Sequence, residues 1–403
     1  MAFKTQVLKF KQTVNASPSD IFYAWTNTTA VREWLCDAAL VDPRKGGRIH
    51  LWWNAGYHTT GDFVAFVPNR KITFTWRGNS DPGPTLVHVA LADRGAGTAV
   101  TLTHSDVGTG KAWAATVAGF QHEWTRNLEN LKSVLETGND LRFTLRPMLG
   151  VNIGEFNAEI AKKLGTPIRD GVRLDGALEG MGAYAAGLRK DDVLVNFGGT
   201  KLVGWPSLTA ALQSHRASDE VKVTYYRGPE KRTATMKLSQ RPVPDMPVTA
   251  GGLADAMRKI YQEFDEEMAK AFDGVSEEEA SSAPAPDEWS AKDVVCHLIA
   301  GERDTQSWIS SVMGGQELWS EKWGGNVPQR HAAIIAASPT STALLEMLRR
   351  NEAESLALVA AMPDAFVARR GSFWRLAYAM LQTPEHNAEH LQQIREAIAS
   401  ARK

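Results

Sequence analysis

Cysteine is almost missing from this 403-residue chain. The two present, Cys36 and Cys296, lie in separate regions and form no metal-type spacing. A disulfide framework is not expected on that count, and a reducing cytoplasm is the expected home. Long apolar runs are also missing: no stretch reaches the ~18 residues needed to span a membrane as a helix. The opening MAFKTQVLKFKQTV alternates apolar and polar residues where a secretory signal would carry a continuous apolar core. Neither sign of charge dominates, with 45 Lys+Arg against 46 Asp+Glu, so nothing draws the chain to nucleic acid or an anionic membrane. There is no internal repeat and no low-complexity tract. What remains is ordinary globular composition, 43% hydrophobic and 23% charged, with length for two to four domains.

Pattern changes twice along the chain. Residues 1–140 hold seven of the thirteen tryptophans, and KITFTWRG, LVHVALAD and TAVTLTHS have the two-residue period of half-buried strands. A long helical stretch then ends near Gly138. Residues 142–241 are again strand-like, with a Gly-rich segment and a short helix. Residues 242–252, within SQRPVPDMPVTAGG, read as a linker, because proline and glycine interrupt both ladder and helix. From 253 to 403 the period is helical. The expected architecture is multidomain: an α+β unit, a mostly-β unit and an all-α four-helix bundle.

In the first module, Ser17-Pro18-Ser19-Asp20 is a helix start, with a capping serine and a proline in the first turn. With DPRKGGRIHLWW, GDFVAFVPNRKITFTW and FQHEWTRNLENLKSVLE, this region resembles the activator-of-Hsp-ATPase-like branch of the START/polyketide-cyclase (SRPBCC) superfamily. That resemblance implies a helix-grip fold, a curved antiparallel sheet around a long helix, with a cavity for a small apolar ligand. Trp52, Trp53, Trp76, Trp113 and Trp124 could line such a cavity or form core. Glu123 stands where the family often has glycine. His104 and His122 read as surface or hydrogen-bonded core residues, and no nucleophile–base pair is visible.

In the second module, RPMLGVNIGEF, AYAAGLRKDDVLVNFGG, SLTAALQS and EVKVTYYRGPEKRTATMKL resemble a PDZ domain of the bacterial protease-associated type. Such a domain adds a peptide strand to a sheet edge and holds its terminal carboxylate in a nest of backbone N–H groups. By resemblance the nest is Met148-Leu149-Gly150, the edge strand starts at Val151, and a helix over 207–214 forms the opposite wall. The groove would receive a C-terminal peptide or be covered by the chain's own segments. No Ser-His-Asp protease domain accompanies it.

In the third module, HNAEH (386–390) puts two histidines one turn apart on one helix face. The string also fits the H-x-x-E-H protease pattern. Only 13 residues follow His390 (403 − 390), which leaves no room for that family's downstream ligand, and Glu389 should face solvent. Upstream, DEWSAKDVVCHLIAGERD reads as a helix capped at Ser290 with Asp293 in its first turn, and His297 lies at the border of its apolar stripe. WSAKDVVCHLIAGE followed by HNAEHLQQI resembles the DinB-like superfamily, metal-binding four-helix bundles that include YfiT-like proteins and thiol-dependent S-transferases and isomerases. The resemblance puts His297, His386 and His390 on the ligand positions. Three imidazoles suit Zn, Ni or Fe as the divalent metal. Glu302 projects into the apolar stripe, either accepting from a ligand histidine and so orienting its ring, or in a salt bridge to an arginine. Cys296 should be packing.

The sequence therefore points to a metal-dependent protein, a thiol-dependent transferase or isomerase using a low-molecular-weight thiol. The other reading is a non-catalytic cytoplasmic scaffold that combines a ligand cavity, a peptide-tail reader and a metal-stabilised bundle. A homodimer is compatible with either, since DinB-like relatives often pair.

Overall fold

The structure, a computed structural model, describes residues 4–54, 56–213, 215–317 and 328–403. The chain divides into two compact units, Met1–Asp140 with Pro244–Lys403, and Leu141–Val243. The first and third modules therefore pack as one body, and the second forms a unit of its own.

The first module contains β1 (Thr5–Val14), α1 (Pro18–Thr26), α2 (Thr28–Arg32), β2 (Ala38–Val41), β3 (Arg48–Trp52), β4 (His58–Val67), β5 (Lys71–Gly78), β6 (Thr85–Asp93), β7 (Thr98–Gly108) and the long α3 (Ala114–Thr137). Its strands form one antiparallel sheet in the order β1-β7-β6-β5-β4-β3-β2. The Ser17 side chain accepts from the Asp20 N–H and Pro18 occupies the first turn of α1, the start the sequence signals. Phe120, Trp124, Leu128, Leu131 and Val134 recur at three- and four-residue intervals along α3 and are its buried stripe against the sheet. Gly138 ends α3 in the left-handed conformation, φ 84°, donating to the Val134 carbonyl. This is the helix-grip expected.

The second unit contains α4 (Leu141–Thr144), β8 (Pro147–Met148), β9 (Val151–Gly154), α5 (Ala158–Leu164), β10 (Val172–Ala177), α6 (Gly182–Ala185), β11 (Val193–Phe197), β12 (Thr200–Lys201), α7 (Trp205–Gln213), β13 (Glu220–Arg227), β14 (Glu230–Lys237) and β15 (Ser239–Gln240). Its main sheet runs β14-β13-β11-β10-β9 with β12 beside β11, so β9 is an edge strand. Leu174, Leu194, Phe197, Leu208 and Val223 are buried in its own core.

The third module contains α8 (Ala250–Ala271), α9 (Glu277–Ser281), α10 (Ala291–Gly314), α11 (Pro328–Ala337), α12 (Ser341–Ala360), α13 (Asp364–Val367), α14 (Arg370–Leu381) and α15 (Thr383–Ala401). Helices α8, α12, α10 and α15 pack in a ring, each against its neighbours, to make the four-helix bundle. No helix among the described residues is long and apolar enough to cross a membrane.

The bundle meets the first module through buried polar groups. Glu317 pairs with Arg32 at 3.1 Å and with Arg375 at 2.5 Å, and its backbone N–H donates to Thr29 Oγ1. Ser372 donates to the buried Glu33 carboxyl, and Arg370 donates to the Glu136 carbonyl at the end of α3. Gly371 fits here because a Cβ would lie 2.5 Å from Glu33 Oε2 and 2.6 Å from Val134.

Candidate metal centre

Two well-defined helix starts position the histidines. Ser290 caps α10 and exchanges hydrogen bonds with Asp293, a capping box that fixes the helix register two turns before His297. Helix α15 begins after Gln382 with Pro384 in its first turn, where the missing N–H costs no hydrogen bond. His386 and His390 follow one turn apart on the side facing α10. Among the described residues these three form the one histidine, cysteine and carboxylate group whose ligand atoms lie mutually close, all within 4.8 Å.

His386 Nε2 and His390 Nε2 stand 3.0 Å apart. The His297 ring centre lies 4.7 Å from that of His390 and 5.8 Å from that of His386. His390 Nδ1 is 3.1 Å from Gln393 Oε1; with Nδ1–H donating to the amide oxygen, the Nε2 lone pair is left facing the other imidazoles. Trp289 packs at 5.1 Å from the His297 ring. Burial holds the proton affinities of His386 and His390 below the ordinary imidazole value. Both are thus neutral at neutral pH, the form a metal needs. His386 is exposed while His297 and His390 are half-buried, so the cluster sits at a mouth open to solvent.

A cavity of about 190 Å³ runs from His297 and His386 into the bundle, past Tyr261, Glu302, Asp304, Arg330 and Glu352. Glu302 accepts from Tyr261 Oη at 3.0 Å and from Ser355 Oγ at 2.7 Å. Those hydroxyls, and neither an imidazole nor an arginine, are its hydrogen-bond donors among the described residues. Cys296 is fully buried and its thiol is pushed up to about 12 by burial, so it is no thiolate. Glu389 is exposed. His331 packs on Trp289 with Nδ1 3.7 Å from Asp293 Oδ1, outside the three-nitrogen set.

The other candidates separate. In the first module Trp76 and Trp124 are buried and pack ring to ring at 5.5 Å, while Trp53 and Trp113 are partly buried against the same core and Trp52 stacks on His58. His104 is buried, bonded to Thr85 at 2.7 Å and to Trp124 at 3.1 Å, and burial pushes it down to about 3. His122 and Glu123 lie on the exposed side of α3. In the second unit Gly150 has φ 73°, and a Cβ there would strike Met181 at 2.1 Å. Val151 opens β9 opposite Ala177, and Met148 pairs with Ser239. Of the expected 207–214 wall, Ser214 lies outside the described residues; Trp205–Gln213 is helical.

Gln393, Trp289 and Tyr261 escaped the sequence reading. The three-residue step from His390 to Gln393 was the available signal; the other two depend on inter-helix distances.

Residues 15–136 match the family model described as Activator of Hsp90 ATPase homolog 1-like protein, residues 167–238 that of the PDZ domain, and residues 261–394 that of the DinB superfamily. The chain joins three known domain families. The DinB-superfamily match contains all three histidines and Glu302, and that superfamily is generally metal-binding. The PDZ match begins after Met148–Val151, so the candidate carboxylate nest lies just outside it. Among curated proteins, the chain is 31% identical over 169 residues to the serine protease Do-like HtrA of Lactococcus lactis subsp. cremoris, covering 40% of this chain and 39% of that protease. It is 28% identical over 165 residues to a probable periplasmic serine endoprotease DegP-like of Marinomonas sp., covering 40% and 35%. The chain thus spans well under half the length of these curated relatives. Among solved structures, the Aha1 dimer from Colwellia psychrerythraea is 22% identical, covering 32% of this chain and 96% of that one with a TM-score of 0.30. An HSP90 activator from Plasmodium falciparum is 20% identical over the same shares, with a TM-score of 0.29.

Proposed function

We propose that the DinB-like bundle binds one divalent metal through His297, His386 and His390, and uses it for transfer or isomerisation with a low-molecular-weight thiol. The mutual approach of three imidazole nitrogens at a solvent-open mouth carries this reading. A bound Zn, Ni or Fe would supply Lewis acidity, lowering the pKa of a thiol or water placed beside it. The chain's own groups do the rest. Gln393 holds His390 in the tautomer with Nε2 free, Trp289 restricts the His297 ring, and the cavity behind the cluster shelters a substrate from bulk water.

The PDZ unit would read a C-terminal peptide along β9, with its carboxylate near Met148, Leu149, Gly150 and Val151. Support comes from the edge position of β9 and the left-handed turn at Gly150. A reducing compartment is the location that suits two free, buried cysteines and thiol chemistry; the word periplasmic in relatives' names belongs to those proteases.

Elemental analysis of protein purified without a histidine tag tests the centre. About one metal per chain, lost in both His297→Ala and His390→Ala with the fold retained, is expected. Metal-free wild type from metal-supplemented cultures would sink the reading. A panel of thiols against an electrophilic acceptor then tests turnover, and no metal-dependent rate would leave a binding protein.

A further inference from the structure

The cavity behind the histidines carries more carboxylate than its cations can balance. Arg330 spends its guanidinium on Asp304 through two contacts at 2.9 Å, and Arg349 pairs with Asp265 at 3.4 Å. Glu302 and Glu352 are left with no cation. Glu302 is held by two hydroxyl donors, Tyr261 and Ser355, which fix its orientation without neutralising it. Glu352 is only 4% exposed, lines the cavity, and accepts no hydrogen bond and joins no ion pair among the described residues. A buried, unpartnered carboxylate is costly unless a ligand completes it.

Burial pushes both carboxyls toward protonation: Glu302 upward against its two hydroxyl donors, and Glu352 up to about 8 with repulsion from Asp265 and Glu302 added and Arg349 opposing. The groups that face them are Tyr261 and Asp265 on α8, Asp304 on α10, Arg330 on α11 and Arg349 on α12. Arg330 is engaged by Asp304, and Arg349, whose charge acts on Glu352, is shared with Asp265.

We propose that Glu302 and Glu352 form an ammonium-binding subsite, and that the natural ligand of this cavity carries a primary or secondary amine at one end. The other end of such a ligand would face His297 and His386, which line the same cavity. An ammonium group in the cavity beside them favours the ionised carboxylates, displacing the proton that burial holds on Glu352 and giving that side chain charge-assisted hydrogen bonds, while Tyr261 and Ser355 keep Glu302 aimed. Neutral and anionic ligands of the same size gain nothing there and leave Glu352 buried without a partner. The ammonium subsite stands on its own geometry; only the identity of the opposite end as a thiol rests on the metal reading above.

Calorimetric titration of the full, metal-stripped chain with n-butylammonium, n-butanol and butyrate tests the subsite directly. Binding of the ammonium at least tenfold tighter than the alcohol, no binding of the carboxylate, and loss of the preference in both Glu352→Gln and Glu302→Gln are expected. Circular dichroism and thermal melting confirm that the near-isosteric variants fold. Equal binding of ammonium and alcohol, or an ammonium preference that survives both substitutions, overturns the proposal. With metal-loaded protein, cysteamine should bind at least tenfold tighter than 2-mercaptoethanol, and Glu352→Gln should erase that difference while metal content stays constant. Persistence of the difference in that variant overturns the proposal as well. If the protein takes up no metal, the metal reading falls and the butylammonium titration alone decides the subsite.

Discussion

A single amide oxygen stands against Nδ1 of His390. Gln393 lies one turn along α15, and its Oε1 meets His390 Nδ1 at 3.1 Å. Truncation to Gln393→Ala frees the ring to rotate and to present Nδ1 instead, so metal affinity should fall roughly 10–100-fold, the range for lost outer partners of ligand histidines. Competition with a chelating dye measures it, and an unchanged affinity would show that the ring is held by packing alone. The histidines themselves were readable because a four-residue step on a helix has one geometric outcome, and the match to WSAKDVVCHLIAGE supplied the third. The partners of Glu302 were not, since Tyr261 and Ser355 come from two other helices whose separation no local pattern encodes. The same limit hid Glu352, which looks in sequence like any other charge in the run RRNEAES.

Helix ends form the next level, because they convert sequence into register. The Ser290–Asp293 box fixes where α10 starts and therefore the azimuth of His297. Ser290→Ala removes the acceptor for the Asp293 N–H and should cost about 1 kcal/mol, measured by urea unfolding of the full chain. A loss near zero would mean that tertiary packing sets the start of α10. This cap and the Ser17-Pro18 start were legible because capping depends on neighbours in sequence. The start of α8 was less so. It begins at Ala250 with Thr249 accepting from the Gly252 N–H, inside the segment whose glycines suggested a linker. Glycine is unfavourable in helix interiors, yet Gly251 and Gly252 sit in the first turn, where the cost is smallest. The break between α14 and α15 follows from Pro384, which cannot donate to the α14 ladder.

At the scale of the whole molecule, three sequence modules become two folding units, because Glu33, Glu317, Ser372 and Arg375 bury a polar seam between the first module and the bundle. Glu33 and Ser372 are 339 residues apart, a pairing that composition and periodicity do not reveal. That seam makes stability depend on pH. Burial raises the Glu33 carboxyl to about 7, above its ordinary range near 4.5, so the folded state holds a proton that the unfolded chain releases. Its stabilising share is complete below about pH 4.5 and is lost as pH climbs to 7, a change on the order of 3 kcal/mol from the shift alone. Glu352 and Glu302 act in the same direction within the same unit. Scanning calorimetry of the full chain should therefore show two transitions. The one belonging to Met1–Asp140 with Pro244–Lys403 should move down between pH 5 and pH 8, more steeply than that of the PDZ unit. Glu33→Gln keeps a neutral partner for Ser372 at every pH and should flatten the slope of that transition without abolishing it. An identical pH slope in wild type and Glu33→Gln would mean that Glu33 ionises no differently in the folded chain, and the seam would then hold by packing alone.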